Sequence, residues 1–281
     1  SVDQAIRAMT EEGSFRVIVL SAPQMVKKAV KVQGASGEVA TLFGQLLVGA
    51  VLVRQTMSPG HRVQLALHVD GQAIMRADSF PNETTRGLVN LPDGQSHVPL
   101  GTKVMLEVTR NIHGGKIHQS FVDIAQATDV SKGLMTYMQD SEQILSIAAV
   151  GCWGDFAGEL EACGYLLQIL PEPDQGTLMV MTERMVDFQD LETLGQSGNL
   201  NIQVLLDEIF YGLPYAVLEK PHVTFGCPCS EARVVGALAT LGRQEIEQIV
   251  RDNEIIEIQC EYCATDYRIG PEQLKTLLTR N

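Results

Sequence analysis

The spacing of apolar and polar positions changes period several times along the chain, and each change predicts an element. Residues 15–20 are mostly β-branched or aromatic and read as a strand. Pro23 opens a helical pattern that runs to about Val32, and Gly34 breaks it. Ser36 is placed to cap a second helix, with Val39, Leu42, Phe43, Leu46 and Leu47 on one face. Gly44 and Gly49 within that helix suggest close packing against another element; the plainer reading is helix glycines tolerated by tertiary contacts. Residues 62–69 alternate, Asp70-Gly71 is a hairpin turn, and residues 72–77 return. Residues 103–109 alternate, a turn is expected at residues 113–115, and residues 116–124 return. Residues 129–139 read as a helix, and 144–150 and 164–170 as strands. Hairpins interrupted by helices predict an α+β fold: an N-terminal antiparallel-sheet domain with helices packed on one side of the sheet.

Pro171-Glu-Pro-Asp174 marks a boundary, so the first domain is expected over residues 1–173. Residues 174–221 read as a helical linker carrying eight acids, two bases and many large apolar residues. Such an amphipathic segment must bury its apolar face, and it is too short for a core of its own. It is expected to dock on the first domain, either permanently or as a segment that comes off. Met179, Met181 and Met185 read as core, or as an adaptable surface for partners. Residues 222–281 form a third module. Ser230 caps a helix to Leu241, and residues 244–252 form a second. Residues 254–259 are a strand delivering Cys260, residues 267–269 another, and Gly270-Pro271 starts a last helix.

That module holds the chain's most specific chemistry. Cys227-Pro-Cys229 and Cys260-Glu-Tyr-Cys263 are two close thiol pairs, thirty residues apart. Four thiols so arranged suit a tetrahedral Zn²⁺ site with Cys227, Cys229, Cys260 and Cys263 as ligands. A module with so few apolar anchors needs its metal, which in small zinc modules supplies on the order of 10 kcal/mol of folding free energy. Without the metal, Cys260 and Cys263 could form an ordinary disulfide. A Cys227–Cys229 bond would close a very small ring and be strained and easily reduced. The quartet thus suggests a redox switch, although the same residues could form an inert structural zinc site.

The same residues carry a family resemblance. Phe225-Gly-Cys-Pro-Cys-Ser-Glu-Ala-Arg233 and Ile255-Ile-Glu-Ile-Gln-Cys-Glu-Tyr-Cys-Ala-Thr-Asp-Tyr267 resemble the redox-regulated heat-shock chaperones of the thirty-three-kilodalton class, the 33 kDa chaperonin family. Tyr137-Met-Gln-Asp-Ser-Glu-Gln143, Gly164-Tyr-Leu-Leu-Gln-Ile-Leu-Pro171 and Thr85-Arg-Gly-Leu-Val89 extend the match over most of the chain. Gln45 after Gly44 and Leu88 in the Arg-Gly-Tyr position depart from that family's pattern, as do Cys152 and Cys163. The resemblance implies a non-enzymatic, ATP-independent holdase with zinc bound in the reduced state. It implies redox-active disulfides Cys260–Cys263 and then Cys227–Cys229 on oxidation. It also implies zinc release, unfolded client proteins as partners, and a homodimer when oxidised.

Composition narrows the alternatives. At 45% apolar and 20% charged, a chain of 281 residues buries a sizeable core. A net charge of −13 argues against a nucleic-acid partner. The longest apolar run, residues 39–53, is interrupted by glycines and Gln45, so no membrane span is expected. The polar opening suggests no signal peptide, and paired thiols fit a reducing cytoplasm. Cys152 and Cys163 read as buried, inert thiols, with an extra peroxide-sensitive pair as the functional alternative. His222 is a lesser candidate ligand, and Asp140 and Glu142 beside Ser141 read as capping or solvated carboxylates. No phosphate loop, dinucleotide fingerprint or nucleophile elbow is present, and the turn before Lys116 reads as a hairpin. Two other classes remain: a constitutive interaction module with purely structural zinc, and a thiol–disulfide oxidoreductase using Cys260 and Cys263. Placing Cys260 at a strand end, not a helix N-terminus, weighs against the second.

Overall fold

The structure is a computed structural model that describes residues 2–112, 115–198 and 200–279. The elements in order are β1 (Gln4–Thr10), β2 (Phe15–Ser21), α1 (Pro23–Gln33), α2 (Gly37–Gln55), β3 (Arg62–Val69), β4 (Gln72–Ser79), β5 (Thr84–Val89), β6 (Val104–Ile112) and β7 (Lys116–Ile124). They continue with α3 (Val130–Asp140), β8 (Ser146–Gly154), β9 (Leu160–Ile169), α4 (Gln175–Met185), α5 (Leu191–Ser197), α6 (Ile202–Ile209), β10 (Tyr215–Glu219) and β11 (Thr224–Phe225). Last come α7 (Glu231–Leu238), α8 (Arg243–Arg251), β12 (Ile256–Gln259), β13 (Asp266–Ile269) and α9 (Pro271–Leu278). The chain forms two compact units that divide between Phe225 and Gly226. The class is α+β, as expected.

The first unit holds two sheets where one was expected. A five-stranded antiparallel sheet runs β10-β1-β2-β9-β8, and a six-stranded sheet runs β11-β5-β4-β3-β6-β7. Helix α2 packs against β2, β8 and β9 of the first and β3, β4 and β5 of the second, so it lies between the sheets. A helix apolar all round is what such a site requires. It is long and apolar enough to cross a membrane by length and composition, yet 78% of that stretch is buried inside the fold. Strand β2 explains the second layer: Ile18 and Leu20 face the α2 core, while Val17 and Val19 face a separate core with α4–α6. Its unbroken apolar run is the mark of a strand covered on both faces.

Segment 174–221 supplies that second cover. Met181, Met185, Leu191, Leu205, Leu206, Ile209 and Phe210 bury against Ile6, Phe15, Tyr165 and Leu167, while Met179 stays 63% exposed. Asp174, Asp190 and Asn201 cap α4, α5 and α6 through the backbone N–H groups of Thr177, Thr193 and Val204. Hydrogen bonds from Thr177 and Thr193 hold the two aspartates below the ordinary carboxylate range. Trp153, on β8, packs its indole against Gly151 and Gly195, where a side chain would collide with it. The segment is not helical throughout, however. Helix α6 ends at Ile209, a turn through Gly212 follows, and Tyr215–Glu219 pairs with β1 as an edge strand, with Arg7 and Glu219 ion-paired across the register.

Two other expectations changed. Strand β1 was not predicted, because its alternation Ala5, Ile6, Ala8 is weak without knowledge of its two neighbours. Ser36 stands at the N-cap of α2 but its side chain makes no capping bond; the Ser96 carbonyl accepts from Val39 N–H instead. Helix α1 is likewise capped from outside, by the Asp3 carboxylate accepting from Gln24 and Met25 N–H at 3.1 and 2.6 Å. The Asp70-Gly71 hairpin is as predicted, with both residues at positive φ. The turn expected at residues 113–115 includes 113 and 114, which lie outside the described residues.

The close packing expected at Gly44 and Gly49 is present. A Cβ on Gly44 would lie 2.5 Å from Cys152 Sγ, and one on Gly49 would lie 3.2 Å from Leu134. Gly44→Val is therefore expected to cost about 2–3 kcal/mol by overpacking. A lowered urea midpoint, partly restored when Cys152→Ala is added, would show it.

Candidate metal centre

The second unit has a small core. Val235, Ile246, Ile269 and Leu274 are its buried apolar residues, with α7, α8 and α9 and the β12–β13 hairpin around them. The cysteines sit where local rules place them. Cys227-Pro-Cys229 leads into α7, which Ser230 caps by accepting from Arg233 N–H. The hairpin pairs Gln259 with Asp266 and delivers Cys260 at the end of β12. The next turn closes on itself: Ala264 N–H donates to the Cys260 carbonyl and Cys260 N–H to the Thr265 carbonyl. Ala264, at φ 58°, takes the left-handed conformation that this reversal needs. Cys263 is thereby folded back beside Cys260.

The four sulfurs meet. Cys227 Sγ lies 3.8 Å from Cys260 Sγ, Cys229 Sγ lies 3.4 Å from Cys263 Sγ, and all four fall within 4.8 Å of one another. Ligands at about 2.3 Å from a tetrahedral ion stand about 3.8 Å apart, so the cluster is sized for one ion. All four residues are half-buried, and all six cysteines of the chain are thiols. An all-sulfur donor set suits a soft or borderline ion. The cluster could hold a metal, and its geometry matches a closed, structural-type coordination shell.

Two hydroxyls contact the cluster, and sequence reasoning overlooked both. Tyr267 O–H donates to Cys229 Sγ at 3.0 Å, and Thr265 Oγ1 lies 3.2 Å from Cys263 Sγ. The legible signal was their position, two and four residues after the last cysteine. The thiols differ in consequence. At Cys263, burial pushes the thiol up, but the Thr265 hydroxyl and backbone outweigh it and bring it down to about 7. At Cys229, burial and neighbouring thiols outweigh the Tyr267 bond and push it up to about 12.

The remaining candidates fall elsewhere. Cys152 belongs to the core around α2, and Cys163 to the core under α4–α6. They lie on opposite faces of the five-stranded sheet, and burial pushes each up to about 12. That is the setting of inert thiols. His222 bridges Gln4 in the first unit and is outside the sulfur group. Glu142 accepts from Tyr137 O–H at 2.5 Å and pairs with Arg110 at 3.2 Å, tying α3 to β6. Burial, then Glu142, pushes the Tyr137 phenol well above its ordinary range. Arg86, in the segment 85–89, donates to buried Asp78, and Gly87 leaves room for the Phe43 ring.

An α+β unit with a helical cover, followed by a small module whose four clustered cysteines could hold a metal ion, defines a two-unit, thiol-bearing protein. Comparisons place it further. The sequence model of the Hsp33 protein family matches residues 3–270. The chain belongs to that family. It is 25% identical to the 33 kDa chaperonin of Thermodesulfovibrio yellowstonii over 99% of both chains. It is 28% identical to the 33 kDa chaperonin of Geobacter sulfurreducens, over 98% of this chain and 94% of that one. A crystal structure of the 33 kDa chaperonin from Thermotoga maritima superposes with a TM-score of 0.84 at 22% identity, covering 99% and 98% of the two chains, which shows a shared fold. The chain is thus a family chaperone, and its relatives carry a chaperone's name and not an enzyme's.

Proposed function

We propose that this chain is a redox-regulated, ATP-independent holdase whose C-terminal quartet is its switch. The observation that supports the proposal is the pairing of a four-sulfur cluster with a small core, in which four apolar residues are buried among the described residues of the module. Reduced, the thiolates of Cys227, Cys229, Cys260 and Cys263 hold zinc, which supplies much of the module's folding free energy. A hydroperoxide oxidises one thiolate to a sulfenic acid, releasing hydroxide. A second thiolate attacks that sulfur, releasing the second hydroxide and leaving a disulfide. Family resemblance assigns Cys260–Cys263 as the first bond and Cys227–Cys229 as the second. All four sulfurs lie within 4.8 Å of one another, so a disulfide within either pair needs a local shift of its turn and the loss of the shared ion.

The functional division is then residues 1–173 as core, 174–221 as linker and 222–281 as switch. Between β10 and Cys227 the chain adds only the two-residue strand β11, so with the module unfolded the linker's end is held by β10 and that short strand alone. The apolar faces of α4–α6 and of the sheet beneath them become available to unfolding client proteins. Two opened chains associate through the same surfaces. The charge of −13 sets nucleic acid aside, no membrane is involved, and a cytoplasm supplies the reducing ground state.

Zinc release read by a metal-sensitive dye, alongside light scattering of a heat-denatured client, tests this. Release and suppression of aggregation should rise together after peroxide. Equal suppression by zinc-replete protein before and after peroxide would refute the switch.

A further inference from the structure

The two halves of the quartet are joined by a contact other than the metal. Tyr267 is on β13, opposite Ile258 in the hairpin that carries Cys260 and Cys263. Its hydroxyl reaches out of that hairpin to the sulfur of Cys229, in the other pair. The ring packs against the small core beside Ile269, so the hydroxyl is held in place by the fold and not by a mobile side chain. Cys263 receives a different contact, from Thr265, which sits in the exposed turn two residues away. Each sulfur therefore has its own environment: one hydroxyl is anchored, the other rides on a turn.

We propose that Tyr267 is a positioning residue that makes Cys229 the last sulfur of the cluster to be oxidised. The inference rests on the switch reading above and deepens it. A hydrogen bond donated to a thiolate draws off the lone-pair density that attacks a peroxide, and it holds the sulfur in one orientation. Such contacts around metal ligands are commonly worth 10- to 100-fold in affinity or reactivity. The steps are ordered accordingly. A thiolate of the Cys260–Cys263 pair attacks the hydroperoxide, giving a sulfenic acid and hydroxide. Its partner displaces the second hydroxide, and a disulfide forms while Cys229 keeps its bond to Tyr267. Cys229 reacts only after the hairpin loosens and that bond is lost, its thiolate then attacking a second hydroperoxide with release of hydroxide and Cys227 displacing the other hydroxide to close the disulfide. The hydroxyl thus sets a threshold: brief oxidant exposure closes only the Cys260–Cys263 disulfide and spares Cys227 and Cys229, and thiol reduction of that one disulfide restores the site.

The test is Tyr267→Phe in the full chain, which keeps the ring and removes only the donor. Metal-loaded protein is treated with hydrogen peroxide, quenched with iodoacetamide at intervals, and each cysteine is followed by mass spectrometry. Wild type should show Cys229 lagging Cys260 and Cys263. In Tyr267→Phe, Cys229 should be oxidised about tenfold faster and the lag should vanish. With Co²⁺ in place of zinc, the sulfur-to-metal charge-transfer bands should shift in Tyr267→Phe, an effect that a merely structural role for the ring would not produce. Thr265→Val is the companion, and it should change Cys263 and leave the Cys229 lag intact. Unchanged Cys229 kinetics in Tyr267→Phe would overturn the proposal. So would equal acceleration of all four cysteines in both variants, which would report loosening of the module. Client scattering in the same samples reads the holdase separately. A lag that Tyr267→Phe erases, with suppression that never changes, would uphold the role of Tyr267 and refute the switch.

Discussion

Cys260→Ser is expected to unfold residues 226–279 while leaving the first unit standing. The reason is the asymmetry between the two cores. The first unit buries two large clusters, one on each face of its five-stranded sheet. The second, among its described residues, fully buries Val235, Ile246, Ile269 and Leu274, with a ring of partly buried apolar residues around them. Its helices are short, at eight or nine residues, and helices of that length are marginal without packing. A metal contribution of about 10 kcal/mol is comparable to the whole net stability of an ordinary domain, so losing one ligand removes most of what holds the module. Amide exchange should show β12 and β13 losing protection while α2 keeps its own. Protection in the hairpin that survives both Cys260→Ser and a chelator would mean that the metal is not the staple.

Phe210→Ala should produce a holdase that is active in reductant, with its metal still bound. Phe210 is 1% exposed, at the end of α6, and its ring packs tilted against Tyr215 on β10, with centroids 5.5 Å apart. Truncating a buried phenylalanine costs about 3–5 kcal/mol, enough to shift a docked segment of this size toward release. The two extra cysteines provide a readout. Cys163 lies under the segment and should become reactive to an alkylating agent, whereas Cys152, beneath α2, should stay protected. The chain's single tryptophan, Trp153, packs on α5 through Gly195, so its emission should shift to the red as the segment leaves. If Cys152 and Cys163 react together, the first unit has opened as a whole and the segment is not a separable cover. If neither reacts and aggregation is not suppressed, docking is tighter than this packing implies.

Much of the site could be read from the chain alone. Two cysteine pairs at short spacing name a candidate metal cluster because chelation is local: each pair is set by one turn, and Ser230 and Ala264 shape those turns from within a few residues. The helices of the second unit were placed to within a few residues for the same reason, since Pro271 and Ser230 act on their own neighbours. Tyr267 escaped notice because its partner is thirty-eight residues away, and only the hairpin register turns its hydroxyl toward Cys229. Strand β10 was mistaken for helix because a tyrosine-to-glutamate run of five residues has no fixed preference until β1 offers it a ladder.

What the sequence determined by itself was therefore chemistry and periodicity: which residues can ligate, where helices begin, and which strands are apolar enough to be buried. The tertiary structure decided which layer covers which. The run of residues 15–20 required both faces of β2 to be covered, but not by what. Only folding placed α2 on one face and the acidic segment 174–221 on the other, and put Cys152 and Cys163 on opposite sides. Side-chain preference acts over a turn or two, whereas burial of an apolar face is settled by whichever distant surface comes to match it.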